Sequence, residues 1–462
     1  VTTIAERLRA LPERYGKRTL IALALIAALG LFVRAYVVVN PVTNPADDSH
    51  AYYALSKALY EEGSFGGPEF HDSSDWSPGA PFLYAAAYYA TGGAREGTAR
   101  IVEALLGVAT IIIVFALGKW LGDLVDERRR LGSAVGLISA FAIAVYPPFI
   151  HTTGELMSEP PAMLTLPAAI LAFFWASERR STWAWLPPGF LFGLTAMFRP
   201  EYLLVGAAFV VLAAIRVWRE RGKRDWRRSL AGGAVLLVAI VLPILPWTIR
   251  NVVVLERVVP ISTGGGKALY VGTFLPADGE YQRVKAILYQ RQTGHSLPPN
   301  SQALTEVNPT PLFNRVARHY PELTRDSALG KIGKQNFSKY FGEDPLGYLG
   351  MTVRKVGRMW SSGVGEAMDT SAGRTIQILL VLLGLAGLAL LVLRRRWWEF
   401  VALATPILLV TLVGAATLAA PRRNEVLMTL VFPLAGLALS SGLAAIFSGR
   451  EWSPEQASSR PN

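Results

Sequence analysis

The 462-residue sequence contains no cysteine. A disulfide framework and a thiolate metal site are therefore excluded. Charge is scarce too: Asp, Glu, Lys and Arg make up 17% of the chain, against roughly a quarter in a soluble protein. The five histidines, His50, His71, His151, His295 and His319, show no metal-ligand spacing and read mainly as loop residues. His50 and His151 lie close in sequence to the charged groups described below. What is abundant is apolar: 52% of the residues are hydrophobic, so lipid is the main solvent. A net charge of +12 in a soluble protein would suggest nucleic acid. Here the basic residues gather in short loops between apolar runs, as membrane insertion alone produces, and no nucleic-acid partner is expected.

A membrane span needs about 20 mostly apolar residues. Candidate spans fall at roughly 20–39, 98–118, 132–150, 161–177, 183–199, 201–217, 230–247, 374–393, 399–418 and 425–446. The run at 20–39 is too long for the core of a signal peptide and is read as a retained first span. The span at 183–199 is the weakest, since it is short and contains Pro187-Pro188-Gly189. Basic clusters precede the first span (Arg7 to Arg18) and follow the second (Lys119, Arg128-Arg129-Arg130), the fourth (Arg179-Arg180), the sixth (Arg216 to Arg228) and the eighth (Arg394-Arg395-Arg396). If the spans alternate, all of these fall on one side, which is then cytoplasmic with both termini inside. The expected fold is an all-α polytopic membrane protein of about ten transmembrane helices with a mixed outer-face domain. Residues 1–247 form the N-terminal membrane module, with its first outer loop at 40–97. An extracytoplasmic domain follows at 248–373, then C-terminal transmembrane helices at 374–447 and a polar tail at 448–462. The tail is expected to be cytoplasmic and disordered.

Charged residues collect at the predicted outer ends of spans: Asp47-Asp48, Glu155, Glu159, Arg199-Pro200-Glu201, Arg250-Asn251 and Arg422-Arg423-Asn424. An ionised group at the bilayer centre costs about 2.5–3.5 kcal/mol on insertion scales, so charges retained near a membrane call for a reason. Each has an ordinary explanation. Asp47 and Asp48 can cap a helix, Glu159 before Pro160-Pro161 can complement a helix dipole, and each arginine can snorkel to head groups. Taken together they suggest a common polar cavity. A carboxylate at Asp48 can accept a proton from a hydroxyl, and Asp47 beside it can raise its pKa or join a metal site. Guanidinium groups form a forked clamp for phosphate. Gly264-Gly265-Gly266 can cradle an anion, although it lacks the strand–loop–helix context of a nucleotide loop.

Four stretches then resemble the C-type glycosyltransferase superfamily, in particular bacterial relatives of protein O-mannosyltransferases and lipid A aminoarabinose transferases. They are Asp48 followed by Tyr52 and Ser56, the turn Pro78-Gly79-Ala80-Pro81, the segment from Pro246-Trp247 and Arg250-Asn251 through Gly264-Gly265-Gly266 to Tyr270, and Pro421-Arg422-Arg423-Asn424. The acidic pair is Asp-Asp where Asp-Glu is commoner in the family, and no tyrosine follows the late arginines.

The resemblance implies a hexosyl- or pentosyltransferase using a polyprenyl-phosphate sugar donor, with inverting transfer to a glycan, lipid or protein acceptor. It places the active site on the extracytoplasmic face of the plasma membrane. Asp48 becomes the general base, supported by Asp47. Glu155, Glu159, Arg199, Arg250, Asn251, Tyr270, Arg422 and Arg423 become candidate substrate-binding residues. No cofactor is certain; a divalent metal ion, held by Asp47, Asp48 and Glu155, is left open. The rival reading is a transporter or flippase of lipid-linked sugars, which is expected to place broken helices and polar residues at the bilayer midplane.

Overall fold

The computed structural model describes residues 16–41, 47–66, 74–126, 131–221, 226–299 and 301–450. The chain is a multi-pass, all-α membrane bundle. Among the described residues, eight helices are long and apolar enough to cross a bilayer: α1 (Lys17–Val39), α4 (Glu96–Val125), α7 (Glu159–Ser177), α9 (Tyr202–Arg221), α10 (Trp226–Leu255), α18 (Ser371–Leu393), α19 (Trp397–Ala416) and α20 (Arg422–Arg450). Two further expected spans are shorter helices, α5 (Leu131–Val145) and α8 (Leu186–Phe198). Proline sets both lengths. Pro147-Pro148 ends α5 and restarts the chain as the short α6 (Pro147–Thr152), while Pro187 and Pro188 stand in the first turn of α8.

Lipid tails are as apolar as leucine, so membrane helices associate through close packing rather than water exclusion. Gly118 and Gly122 on α4 meet Gly136 and Gly132 on α5, each pair four residues apart. A Cβ on Gly122 would press into the Gly132 backbone, so this crossing needs glycine on both sides. Around this pair, α20 is the central helix, packed by α4, α5, α7 and α18. By contrast, α1 turns Ile21, Leu25, Phe32 and Tyr36 outward. It docks on α4 and α5 through Gly30 and the buried Arg34.

The remaining helices sit at the ends of the spans. After α1 come α2 (Asp47–Glu61) and α3 (Gly79–Thr91). Between α10 and α18 lie α11 (Gly265–Thr273), α12 (Tyr281–Thr293), α13 (Gln302–Glu306), α14 (Pro309–Ala317), α15 (Arg325–Glu343), α16 (Pro345–Ser361) and α17 (Glu366–Asp369). The outer segment was expected to be mixed; its described residues form helices and turns and no strand. Its apolar residues follow helical spacing, and Tyr270, Val271, Phe274, Leu312, Phe313 and Leu329 make a separate small core.

The Pro-Trp…Arg-Asn stretch explains how α10 hands over to this segment. Trp247 and Asn251 lie one turn apart and reach back to the returning chain. Trp247 Nε1 donates to the Ile261 carbonyl at 2.6 Å, and Asn251 Nδ2 donates to the Val259 carbonyl at 2.9 Å. Asn251 is fully buried, so losing its amide strands a buried carbonyl. Asn251→Ala is expected to lower stability by about 1–3 kcal/mol in thermal unfolding. A variant that unfolds with the wild type would remove this tie from the account.

Candidate active site

Three helix N-termini converge at one end of the bundle, those of α2, α7 and α20. Asp48 stands in the first turn of α2 and Glu159 opens α7, where negative charge complements the helix dipole. Arg422 opens α20, where a cation opposes the dipole, so it depends on nearby anions. It has two. Arg422 Nη1 donates to Asp48 Oδ2 at 2.8 Å, and Arg422 Nε and Nη2 lie 3.0 and 2.9 Å from Glu159 Oε1. Glu159 Oε1 also accepts from Arg199 Nη1 at 2.7 Å, and Arg199 Nη2 reaches Glu201 at 2.8 Å. Residues from four distant parts of the sequence thus share one charged network.

The two carboxylates differ in access. The Asp48 side chain is 43% exposed and that of Glu159 is 0% exposed, so Asp48 is the one a substrate can reach. Burial would raise the Asp48 carboxyl, but the charge and hydrogen bond of Arg422, the charge of Lys267 and a bond to Trp76 hold it below its ordinary value. Burial likewise opposes ionisation of Glu201, yet Arg199 and Arg423 hold it down to about 2. The Arg423 guanidinium faces Glu201, and its Nη1 is buried without a hydrogen-bond partner among the described residues.

Other expected site residues make different contacts. The Asp47 side chain lies outside the described residues. Glu155 is 3.6 Å from His151 and raises that imidazole above its usual value. Arg250 bonds the Phe65 carbonyl at 2.9 Å and lies over the Trp247 ring. The amide donors of Asn251 go to main-chain carbonyls, and Tyr270 is buried in the small core of the 248–373 segment. The residue after Gly264–Gly266 does meet an anion, one from its own chain. The Lys267 N–H donates to Asp326 Oδ1 at 3.1 Å, and a Cβ on Gly266 would overlap the Asp326 carbonyl. The glycines therefore let α11 pack closely on α15. Of the candidate metal ligands whose side chains are described, Asp48 is on Arg422 and Glu155 on His151. Among the described residues no three His, Asp or Glu groups are arranged to hold an ion.

Sequence reading missed Glu103. It lies within α4, fully buried, and accepts from the Met157 N–H at 2.7 Å and from the Tyr84 hydroxyl. The Tyr84 hydroxyl oxygen also lies 2.7 Å from the Met157 carbonyl, so its one O–H is shared between the two acceptors. Met157 follows Leu156, whose φ of 47° is uncommon for a side chain of that size, and precedes Ser158-Glu159. Glu103 therefore pins the strained loop that presents Glu159. The signal was available: an acid inside a predicted span is functional by default. Arg34, buried in the first span, lines the same small cavity as Glu103 and was missed for the same reason.

Comparison with known proteins bears on this geometry. Residues 75–247 match the family model for dolichyl-phosphate-mannose-protein mannosyltransferase. The archaeal oligosaccharyltransferase AglB from Archaeoglobus fulgidus, solved with an inhibitory peptide and a dolichol-phosphate, superposes with a TM-score of 0.53 at 14% identity, over 96% of this chain and 52% of that one. The apo form of the same organism's oligosaccharyltransferase gives 0.53 at 15% identity with the same coverage. The chain has the C-type glycosyltransferase fold. Sequence motifs had suggested this C-type fold, and the suggestion stands. The chain spans about half the length of the archaeal chains it matches, 52%. ArnT from Cupriavidus metallidurans, bound to undecaprenyl phosphate, aligns over 95% of this chain and 80% of its own at 16% identity, but with a TM-score of 0.39 it is too distant to argue from. No curated protein matches.

Removing the Glu103 carboxyl leaves the Met157 N–H without its acceptor in a buried place, at about 1–3 kcal/mol, while the Tyr84 hydroxyl keeps only the Met157 carbonyl. Glu103→Ala is expected to lower the unfolding temperature by several degrees, and Glu103→Gln, which keeps an acceptor oxygen, to restore most of it. Equal losses in both variants would mean the carboxyl does not act through these bonds.

Proposed function

We propose that this chain is a glycosyltransferase that moves a sugar from a polyprenyl-phosphate donor to an acceptor at the outer face of the cytoplasmic membrane. The observation that carries the reading is Arg422 held between a reachable carboxylate, Asp48, and a buried one, Glu159. This couples a base to a phosphate-binding cation within one hydrogen-bonded unit. A polyprenyl tail gains about 0.8 kcal/mol per buried CH₂ and stays in the bilayer, so its phosphate must be met at the ends of the spans. The Asp48–Arg422 group lies at such an end.

In the proposed reaction the acceptor hydroxyl attacks C1 of the donor sugar from the face opposite the phosphate, and the configuration inverts. Asp48 takes the hydroxyl proton as the new C–O bond forms. The bond between C1 and the phosphate oxygen breaks, and the electron pair leaves with the polyprenyl phosphate. Arg422 stabilises that growing negative charge, with Arg423 and Lys267 adding positive potential. Arg199 and Glu201 hold Glu159, which anchors Arg422 from behind. Glu155 and His151 line the approach from α6, while Arg250, Asn251 and Tyr270 shape the segment that covers the site.

The topology follows from charge. The Arg394–Arg396 turn lies at one end of α19 and Arg422 follows the other, about 30 Å away for 20 residues. With the basic turns cytoplasmic, the site is extracytoplasmic. Counting α5 and α8 as short crossings beside the eight long helices gives ten passes and cytoplasmic termini. On this reading 1–247 and 374–447 are the membrane modules, and 248–373 covers the pocket and meets the acceptor.

Incubation of the purified protein with radiolabelled polyprenyl-phosphate sugars tests the activity, the expected result being transfer of label. Asp48→Asn is expected to lower kcat by about 10²- to 10⁴-fold with donor affinity nearly unchanged. Arg422→Gln is expected to weaken donor binding as well. Because the Asp48 carboxyl is held below its ordinary 3.8, it is ionised at neutral pH, and its activity is lost only as pH falls below about 4. Undiminished transfer by Asp48→Asn would refute the assignment of the base, and an acid limb near pH 6 that this substitution removes would refute its lowered pKa.

A further inference from the structure

On a water-facing helix the charges turn outward and the apolar stripe turns in. Helix α16 departs from this at two places: Met351 and Met359 turn in as expected, but so does a lysine, and a second apolar stripe turns out. Lys355 is fully buried, its Nζ donating to the carbonyls of Gly272, Ala415 and Thr417 at 2.7, 2.9 and 2.9 Å. Arg354 and Arg358 turn to Asp278. The opposite side carries Leu346, Leu349 and Val353, spaced three and four residues apart and 80%, 51% and 71% exposed. The patch continues onto α15, where exposed Phe337 and Phe341 stack at 5.5 Å and both meet Tyr348 edge-on.

The position of this patch says what covers it. Ala415 and Thr417, which hold Lys355, mark the end of the membrane helix α19. Trp360 Nε1 donates to Thr411 Oγ1 one turn further into the same helix. Ten residues beyond the end of α16 at Ser361, the membrane helix α18 starts at Ser371. The Lys355 and Trp360 bonds thus set α16 level with the ends of two spans. Exposed Lys334 stands one turn before Phe337, where its stem can follow the apolar surface and its ammonium can reach a headgroup phosphate.

We propose that α16 and the C-terminal half of α15 lie in the membrane interface, with Leu346, Leu349, Val353, Phe337 and Phe341 seated at the boundary between headgroups and acyl chains. A helix so placed anchors the 248–373 segment to the bilayer surface rather than leaving it free in water. It fixes the height of the Lys355 tie, and with it the turn at 417–421 that leads into Arg422. This inference rests on the membrane fold and not on the transferase reading.

The absence of cysteine makes the test direct. Leu349→Cys and Val353→Cys carry a nitroxide in the full-length protein, reconstituted in bilayers of phosphatidylethanolamine and phosphatidylglycerol. Gln302→Cys on exposed α13 serves as the water reference and Leu382→Cys on lipid-facing α18 as the lipid reference. Power saturation compares collision with oxygen, which concentrates in lipid, and with a polar nickel chelate, which stays in water. The oxygen-to-nickel ratio at 349 and 353 is expected to exceed that at 302 by roughly threefold or more and to approach that at 382. A ratio equal to that at 302 would put the stripe in water. Exclusion of both reagents would mean that a second copy or another protein covers it. Either result overturns the proposal.

Discussion

One guanidinium holds the site together. Arg422 starts α20 at the end of the helix where its charge is least welcome, and the carboxylates of Asp48 and Glu159 make that position tenable. Those carboxylates are in turn half-buried and buried, and would be costly without a cation. Each member needs the others, so the first extramembrane helix, the start of α7 and the central helix α20 are locked at one level. Removing one partner strands a charge, which is why the network acts as a unit rather than as separate surface ion pairs.

The rest of the frame serves that level. Close glycine contacts set α4 against α5, and α4 supplies Glu103 to pin the loop carrying Met157 and Glu159. At the start of α20 the neighbouring residues divide the work. Asn424 is buried and donates to the Met359 and Ser362 carbonyls at the end of α16, and Glu425 accepts from Thr152 at 3.1 Å. Lys355 ties the turn before Arg422 to α11 and α19. The short Pro-Arg-Arg-Asn stretch thus contains two site arginines and one structural amide, each aimed differently by helical geometry.

Much of this was legible because the sequence is poor in charge. In a chain that lipid dilutes to few ionic groups, Asp48, Glu159, Arg199 and Arg422 stand out at span ends, and the structure brings these four together. The apolar runs also marked the helices, with proline deciding which were cut short. What failed to show was direction. Arg250, Asn251 and Tyr270 belong to a stretch that resembles a family motif, yet the contacts they make serve packing and the return of the chain. The triple glycine looked like an anion cradle, but its anion is Asp326 and its smallness admits α15. Glu103 and Arg34 were hidden by the opposite effect, since a single charge barely disturbs an apolar run.

The account depends on Arg422 being where the donor phosphate, Asp48 and Glu159 meet. The most direct measurement is an experimental structure of the full-length protein in lipid with a polyprenyl phosphate bound. It is predicted to show the phosphate hydrogen-bonded to the Arg422 guanidinium, with the Asp48 carboxylate on the open side of the same pocket. A phosphate bound elsewhere on the bundle, with Arg422 still closed on Asp48 and Glu159, would contradict it.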